Sequence, residues 1–131
     1  MASHLVVDGM NVIGSRPDGW WRDRTGAALR LLEGLRRLVV PGAEVTLVLD
    51  GRPNPRLQEG CVGGVDVTFA RRAGRDAGDD RLVEVVREIA GSREPPTVTV
   101  VTSDRALVER VRSLGALIEG AGKLRSRLET C

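Results

Sequence analysis

Short apolar runs alternate along the chain with longer segments in which apolar residues recur every three or four positions. The runs predict strands, and the spacing of three and four predicts helices with one buried face. The predicted strands are His4–Val7, Glu44–Leu49, Val65–Ala70, Thr97–Val101 and Ala116–Ile118. The predicted helices are Arg24–Val39, Asp79–Ala90, Asp104–Leu114 and a short basic helix from Ala121 onwards. The stretches between them are predicted loops, which include Gly14–Asp23 and the glycine-rich Gly60–Gly64.

The alternation of strands and helices predicts the class of fold. Nearly continuous apolar strands such as Glu44–Leu49 are typical of parallel sheets that helices cover on both faces. We therefore predict an α/β fold, a three-layer α/β/α domain with a mostly parallel central sheet and right-handed crossovers. The length of 131 residues suits one domain spanning residues 1–131.

Composition adds constraints on the environment and the partners. With 41% hydrophobic residues and no long apolar stretch, the chain fits a cytoplasmic globular protein without a membrane partner. Of the 20 basic residues only Lys123 is a lysine, and arginine side chains match the geometry of phosphate groups. Because the net charge is only +2, this bias is compatible with a nucleic-acid partner and also with ordinary solvated surfaces. Cys61 and Cys131 lack metal-ligand spacing and are predicted to be free thiols.

Four aspartates occur where an α/β protein presents its chemistry. Asp8, Asp50 and Asp104 follow predicted strands, whereas Asp79 opens a predicted helix with Asp80 beside it. The carboxyl ends of parallel strands meet at one edge of the sheet, so these side chains are expected to converge there. Taken singly, each aspartate has a simpler explanation as a turn residue or a helix N-cap. Those explanations do not predict that all of them collect at one edge.

Such convergence has an electrostatic consequence. Two carboxylates about 4 Å apart repel each other by roughly 4 kcal/mol at an effective dielectric constant of about 20. A divalent cation relieves this repulsion, and oxygen ligands without nearby histidine or cysteine favour Mg²⁺ or Mn²⁺ over Zn²⁺. The sequence therefore predicts a magnesium or manganese site at this edge of the sheet.

Candidate substrate-binding residues flank these aspartates in the sequence. Arg71, Arg72 and Arg75 lead directly into the Asp79 segment and would suit a phosphodiester backbone, although each is equally explained as an exposed loop arginine. The Trp20-Trp21 pair would stack on unpaired bases or, alternatively, pack against a neighbouring helix or a partner subunit. No complete Rossmann or P-loop glycine pattern is present, which disfavours nucleotide-cofactor chemistry.

Four motifs, taken in order, resemble a known family. They are Val7-Asp8-Gly9-Met10-Asn11-Val12-Ile13, Leu49-Asp50-Gly51, Gly78-Asp79-Asp80-Arg81-Leu82-Val83-Glu84 and Val101-Thr102-Ser103-Asp104-Arg105. This ordered set resembles NYN domains, and more closely the bacterial YacP-like branch of the PIN-like nuclease superfamily, from about residue 4 to residue 128. The resemblance implies a PIN-like fold and metal-dependent endoribonuclease activity on RNA. In some relatives this activity is associated with ribosomes or tRNA.

The resemblance also implies roles for individual residues. Asp8, Asp79 and Asp104 match the metal-binding acids of the family, and Asn11 matches the asparagine beside the first of them. Asp80 is a close neighbour of this set, and Asp50 lies where many relatives have a further acid or a turn. We count Asp8, Asp79, Asp104 and Asn11 as the catalytic candidates, and the five aspartates as the candidate metal ligands.

Two further roles and two departures from the family pattern complete the set of expectations. By position, Asn11 would orient Asp8 or a phosphate oxygen, and the Ser103 hydroxyl would hold a water molecule of the metal site. Gly78 replaces an alanine that is common in the family, and this change is expected to leave the acids unaffected. Glu119 lies near the last strand, where a fourth acid would be sought, but in no recognisable motif.

Three functions are compatible with these observations. The leading hypothesis is a Mg²⁺- or Mn²⁺-dependent endoribonuclease. The alternative is a non-catalytic RNA-binding or ribosome-docking module of the same fold. A third, an aspartate-based phosphatase, is disfavoured because Asp8-Gly9-Met10 lacks the second acid two residues on that such nucleophile loops use. The RNA target and the oligomeric state are not encoded in any motif.

Overall fold

The fold is taken from a computed structural model, which describes residues 2–129. The strands of these residues are β1 (Ser3–Asp8), β2 (Ala43–Leu49), β3 (Gly60–Val62), β4 (Val65–Phe69), β5 (Thr97–Val101) and β6 (Leu117–Glu119). The helices are α1 (Gly9–Ile13), α2 (Arg24–Arg36), α3 (Ala77–Ala90), α4 (Arg105–Arg112) and α5 (Ala121–Glu129). A 3₁₀ turn covers Trp20–Arg22.

The strands form one sheet in the order β3-β4-β2-β1-β5-β6. Every pairing is parallel except that of β3 with β4. From β1 the chain extends through β2 and β4 towards one edge, and then returns to β5 and β6 on the other side. The direction therefore reverses between β1 and β5, and the carboxyl ends of these two strands flank the crevice where open α/β sheets bind ligands.

Helices cover both faces of the sheet, as predicted. Residues of α1, α2 and α5, such as Leu35 and Leu124, pack in one apolar cluster against one face. Residues of α3 and α4, such as Leu82 and Leu107, pack in a second cluster against the other face. The α/β class and the three-layer arrangement around a mostly parallel sheet are thus confirmed. No helix among residues 2–129 is long and apolar enough to cross a membrane.

Two elements were missed by the sequence pattern, both at glycines. Gly60–Gly64 is not all loop: Gly60–Val62 pairs with β4, and Gly63 and Gly64, with φ of 58° and 88°, form the hairpin turn. Helix α1 begins at Gly9, in a stretch that the sequence pattern predicted as the loop after the first strand. A Cβ at Gly9 would lie 2.8 Å from the Val48 carbonyl oxygen, so glycine permits this helix to start directly against β2.

The other boundaries agree with the predictions to within a few residues, which is the usual uncertainty of element ends. Helix α2 is the largest difference, because it ends at Arg36 rather than Val39. The predicted loop 14–23 contains the 3₁₀ turn. Cys61 is free and exposed on β3, whereas Cys131 lies outside the described residues.

Candidate functional site

Four of the predicted aspartates lie at the carboxyl edge of the sheet. Asp8 is the last residue of β1, Asp50 directly follows β2, and Asp104 is the N-cap of α4, beyond β5. Asp79 lies in the first turn of α3. The four are close enough to influence one another, since the charges of Asp79 and Asp50 act on Asp8 and that of Asp104 acts on Asp79. The topology of the sheet has brought together residues that are far apart in the sequence.

Asp8 is held by a hydrogen bond from within the site. Strand register places Val101 of β5 beside Val7 of β1, so Thr102 follows next to Asp8. The buried Thr102 hydroxyl donates to Asp8 Oδ2 at 2.9 Å. The backbone N–H of Asn11, in α1, lowers the pKa of Asp8, although the Asp8 side chain forms no cap hydrogen bond with this helix. Asp8 is therefore fixed in orientation before any ligand binds.

The surroundings of Asp8 favour its protonated form. Burial is the main cause that raises the pKa of Asp8 to about 6, against an ordinary value of 3.8. The Thr102 hydroxyl opposes this increase, and so does the Asn11 N–H. The negative charges of Asp79 and Asp50 add to it. An ionised Asp8 is thus disfavoured at this position unless a positive charge compensates it.

Asp79 shows the same behaviour for the same reasons. Partial burial raises its pKa, and the negative charges of Asp104, Asp76 and Asp50 raise it further. Arg110 opposes the change. No described residue donates a hydrogen bond to the Asp79 carboxylate, so its oxygens are available for a ligand.

Asp50 owes its place in the site to Gly78. A Cβ at position 78 would overlap with Asp50 Oδ1, so glycine allows this carboxylate to lie against the first turn of α3 in its present rotamer. Partial burial there raises the pKa of Asp50, and the charge of Arg24 lowers it. The expectation that Gly78 leaves the acids unaffected stays a prediction, because an alanine Cβ would meet only the end of the Asp50 side chain, which can rotate away.

Asp104 combines the N-cap role with a possible ligand role. Its Oδ1 accepts from the N–H groups of Ala106 and Leu107 at 3.0 and 3.3 Å, which is the simple cap explanation. The backbone N–H of Asp104 donates to the Thr102 hydroxyl at 3.1 Å. Oδ2 accepts from none of the described residues and remains available at the edge of the site.

Hydrogen bonds of Asn11 and Ser103 connect α1, the loop after β5, and α5. Asn11 Oδ1 accepts from the Ser103 N–H at 2.8 Å, and Ser103 Oγ accepts from the Ala121 N–H at 3.0 Å. The part of Asn11 that lowers the pKa of Asp8 is its backbone N–H rather than its side chain. Its Nδ2 donates to none of the described residues, so this amide is the part of Asn11 that is available to a phosphate oxygen.

Two candidate acids have other partners. Asp80 forms ion pairs with Arg72 and, at 3.0 Å, with Arg110. Glu119 is buried, and both of its carboxylate oxygens accept from Arg127, at 2.6 and 2.9 Å. The structure thus places Asp80 in an arginine cluster and Glu119 in an internal ion pair with α5.

The donor set suits a hard divalent cation, because it consists of carboxylates that repel one another and lack histidine or cysteine neighbours. Burial is the main cause of the raised pKa values of Asp8, Asp50 and Asp79, and neighbouring acids add to it for Asp8 and Asp79. As they stand, however, no three acidic, histidine or cysteine side chains among residues 2–129 are grouped to hold one ion. The chemical nature of the side chains therefore favours cation binding at this edge, whereas their present positions do not form a complete set of ligands.

Comparisons with known proteins identify the family of the chain and agree with its fold. Residues 5–131 match the model of the YacP-like NYN domain family. The chain belongs to this family. Two crystal structures of Rae1 (YacP) from Bacillus subtilis are similar to it in fold. A tryptophan-to-leucine mutant of Rae1 has 25% identity and a TM-score of 0.72, with 99% of this chain and 76% of that chain covered. The other structure has 24% identity and a TM-score of 0.73, with 96% and 73% covered. No curated protein sequence matches the chain.

The carboxyl edge of the sheet, with Asp8, Asp50, Asp79 and Asp104, is called the acidic edge below. A groove with arginine-rich walls adjoins it in this YacP-like NYN domain. Its volume is about 550 Å³, and it lies between the loop after β2 and the loop after β4. Asp50 is its one acidic lining residue, among five arginines: Arg24, Arg52, Arg71, Arg72 and Arg75. The three predicted substrate-binding arginines thus lie together in a groove beside the acids. Arg71 also donates to Glu59 at 2.6 Å.

The two tryptophans have different environments. Trp20 is half-buried against the apolar cluster beneath α2, and the Arg24 guanidinium lies 5.4 Å from its ring centroid. Trp21 is 52% exposed and meets Trp20 edge to face. The packing interpretation therefore describes Trp20, and Trp21 is the one whose ring is accessible to a base.

Thr102 and Arg125 support the site but were not identified from the sequence as contributing to it. Strand register is the signal that could have found Thr102, since it follows β5 beside Asp8. Arg125 of α5 donates to the carbonyl oxygens of Val12 and Ile13, both at 3.0 Å, at the end of α1. Nothing in the pattern indicates this contact, because the partners are more than 110 residues apart.

The raised pKa of Asp8 predicts an unusual dependence of stability on pH. Because the folded state binds the Asp8 proton more tightly than the unfolded state, stability from this group is present below about pH 4 and is lost as the pH rises to about 6. One pKa unit corresponds to about 1.4 kcal/mol, so the loss is on the order of 3 kcal/mol. Asp8→Asn should therefore raise the free energy of unfolding in EDTA by about 2–3 kcal/mol at pH 7 and leave it nearly unchanged at pH 4.

Urea denaturation of both proteins at the two pH values measures this difference. Asp66→Asn, at an exposed position of β4, reports the general effect of removing one carboxylate. Equal stability of wild type and Asp8→Asn at pH 7 would contradict the account of Asp8 as a strained carboxylate.

Proposed function

We propose that the protein is a metal-dependent endoribonuclease that hydrolyses phosphodiester bonds of RNA. The observation that carries this proposal is the convergence of Asp8, Asp50, Asp79 and Asp104 at the carboxyl edge of the sheet. Membership of the YacP-like NYN domain family supports an RNA nuclease in general. Ribosome association is part of the same proposal and rests on the family resemblance, whereas a cytoplasmic location rests on the composition of the chain.

In this proposal Asp8, Asp79 and Asp104 hold Mg²⁺ or Mn²⁺, with Asp50 as a further ligand. When bound, the ion supplies Lewis-acid activation of the attacking water and of the scissile phosphate. Thr102 keeps Asp8 oriented through the hydrogen bond to Oδ2. Asn11 is held by its Oδ1, which leaves Nδ2 to donate to a phosphate oxygen.

The substrate side of the proposal rests on the arginine groove. Its guanidinium groups would bind backbone phosphates and would offset the repulsion between the acids and the RNA. Contacts of this kind do not read the base sequence. The exposed Trp21 ring, next to Trp20, is a candidate platform for one unpaired base.

One observation favours the alternative of a non-catalytic RNA-binding or ribosome-docking module. In the described part of the chain, the acids converge without being grouped as ligands. The experiment that separates the two functions is cleavage of end-labelled RNA. The purified protein should cut single-stranded or structured RNA with Mn²⁺ or Mg²⁺ and should leave it intact in EDTA. RNA binding without cleavage under both metals would favour the module.

Metal binding itself is expected to stabilise the protein. A ligand present at 100 times its dissociation constant stabilises the folded state by about 2.7 kcal/mol, which corresponds to a rise in Tm of several degrees. Millimolar Mn²⁺ should give such a rise, measured by differential scanning fluorimetry and confirmed by calorimetry. Asp79→Asn should lose most of it, and Asp66→Asn should keep it. Absence of heat and of a Tm shift with both metals would exclude the proposed metal site.

The arginine groove should dominate the electrostatics of RNA binding. Replacing Arg71, Arg72 and Arg75 together by alanine should weaken binding and reduce the slope of log K against log salt by about 0.7 per lost phosphate contact. The matched control removes the same charge from exposed arginines at the other end of the sheet, namely Arg36, Arg93 and Arg112. Equal effects of the two triple variants would assign the groove arginines to the general surface charge.

A further inference from the structure

Asp80 lies between two arginines that come from different elements. Asp80 is in α3, Arg72 is in the loop before that helix, and Arg110 is in α4. One Asp80 oxygen pairs with Arg72, and the other accepts from Arg110 Nη2 at 3.0 Å. The Asp80 side chain is 23% exposed, whereas those of Arg72 and Arg110 are 71% and 42% exposed. One carboxylate thus fixes two guanidinium groups that still face solvent.

This cluster carries a surplus of positive charge. Two arginines share one aspartate, so one positive charge is not neutralised within the cluster. The cluster lines a second groove, of about 240 Å³, whose walls carry five arginines and two carboxylates. One of these arginines is Arg87 of α3, for which the described residues provide no ion-pair partner. A groove of this charge suits an anion.

The second groove is next to the acidic edge and adjoins the arginine groove beside Asp50, with which it shares Arg71, Arg72 and Ala77. Asp80 follows Asp79 directly in α3, and neighbouring Cα atoms are about 3.8 Å apart. Arg110 is close enough to Asp79 for its charge to offset part of the repulsion among the acids. An RNA strand whose scissile phosphate lies at Asp79 would therefore pass this cluster with an adjacent phosphate.

Ordinary surface ion pairs contribute little to protein stability and do not by themselves create a binding site for phosphate. The arrangement around Asp80 differs because each guanidinium uses only part of its five donors on the shared carboxylate. The remaining donors of Arg72 and Arg110 are available to one phosphate, which arginine binds with directional, charge-assisted hydrogen bonds.

We propose that Arg72 and Arg110, with Arg87 beside them, form a second phosphate subsite that binds the RNA backbone next to the cleaved phosphate. Asp80 is its positioning residue rather than a metal ligand. This inference rests on the proposed function, because it takes RNA as the ligand of the acidic edge. The subsite recognises single-stranded backbone phosphate and carries no sequence preference of its own.

Arg110→Gln tests the subsite without any cleavage step. Binding of a fluorescein-labelled 12-nucleotide RNA is measured by anisotropy in EDTA over a range of KCl concentrations. Arg110→Gln should bind on the order of fivefold more weakly and should reduce the salt slope by about 0.7. The matched control is Arg112→Gln, which removes an exposed arginine from the same helix and should bind as the wild type does.

Asp80→Asn tests the positioning role. An effect of net charge alone and a loss of positioning predict opposite changes in RNA affinity. Removing a negative charge near the RNA should tighten binding if only the net charge matters. Asparagine accepts from one of the two guanidiniums and repels the other with its amide hydrogens, so loss of positioning should weaken binding at least twofold in EDTA. Asp80→Glu, which keeps the carboxylate, should restore part of the affinity.

The possible results separate this inference from the proposed function. If the wild-type protein binds RNA but never cleaves it, the proposed nuclease activity is excluded. The subsite is still supported in that case, provided that Arg110→Gln weakens binding and Arg112→Gln does not. A wild-type protein that cleaves RNA, with Arg110→Gln binding like Arg112→Gln, overturns the subsite and leaves the nuclease. Tighter RNA binding by Asp80→Asn, together with lost Mn²⁺ binding in calorimetry, would make Asp80 a metal ligand and overturn its positioning role.

Discussion

Asp8→Asn is expected to lower the rate of RNA cleavage by a factor on the order of 10³ while the fold persists. Lewis-acid stabilisation by a bound metal is worth several kcal/mol in the transition state, and about 4 kcal/mol corresponds to this factor. Asparagine has the size of aspartate and keeps an oxygen to accept from Thr102. It removes the charge that the proposed metal requires.

The same substitution should leave RNA binding intact or make it stronger. The acidic edge repels phosphates, and neutralising Asp8 reduces that repulsion. Single-turnover cleavage and metal-free binding of the same labelled RNA measure the two effects separately. Asp79→Asn and Asp104→Asn should behave in the same way, and asparagine is itself a good N-cap at position 104.

Asp66→Asn is the matched control for these cleavage measurements. Asp66 is an exposed residue of β4 that lies away from the carboxyl edge, in register with Cys61 of β3. It should cleave RNA at the wild-type rate. If the wild type cleaves no faster than Asp8→Asn with Mn²⁺ as well as Mg²⁺, the non-catalytic RNA-binding module becomes the better function.

Arg125→Met is expected to cost about 3 kcal/mol of unfolding free energy. The Arg125 side chain is only 19% exposed, and it donates to Val12, Ile13 and Ser15 at the carboxyl end of α1. Hydrogen bonds to a charged group are worth about 1.5–3 kcal/mol each, and the acceptors that lose their donor are partly buried. Methionine preserves most of the apolar contact of the stem, so the loss reports the polar contacts.

Urea denaturation at pH 7 measures this loss. Lys123→Met is the control, because it removes an exposed positive charge from the same helix and should change stability by less than about 0.5 kcal/mol. Because α1 carries Asn11 and begins after Asp8, Arg125→Met should also reduce cleavage. Identical denaturation midpoints for the two variants would show that α5 does not stabilise α1.

The expected effects of Asp8→Asn on stability and on cleavage have opposite signs for one physical reason. Burial beside other acids makes an ionised Asp8 costly in the metal-free protein, and the same crowding provides the charge that a cation would neutralise. A site that binds a cation strongly is therefore a site of reduced stability without it. Asparagine removes both properties together.

The sequence by itself determined most of the secondary structure, except β3 and α1, and the layers of this protein. The β-branched run at Thr97–Val101 and the apolar spacing in Asp79–Ala90 are local patterns that burial requires whatever the partners are. Alternating strands and helices give a parallel sheet, and the carboxyl ends of its strands lie at one edge. Asp8, Asp50 and Asp104 therefore meet at that edge. The ordered motifs were also sufficient to indicate the YacP-like NYN domain family.

Only the tertiary structure decided which side chains act on each other at that edge. Thr102 donates to Asp8 across 94 positions, and Arg125 reaches α1 across more than 110 positions. Gly78 admits Asp50 through a close approach of two elements. Such contacts depend on strand register and on the distance between packed helices, which leave no periodic signal in the chain. The same is true of Asp80, whose neighbour Asp79 faces the acids while Asp80 itself pairs with arginines from another loop and helix.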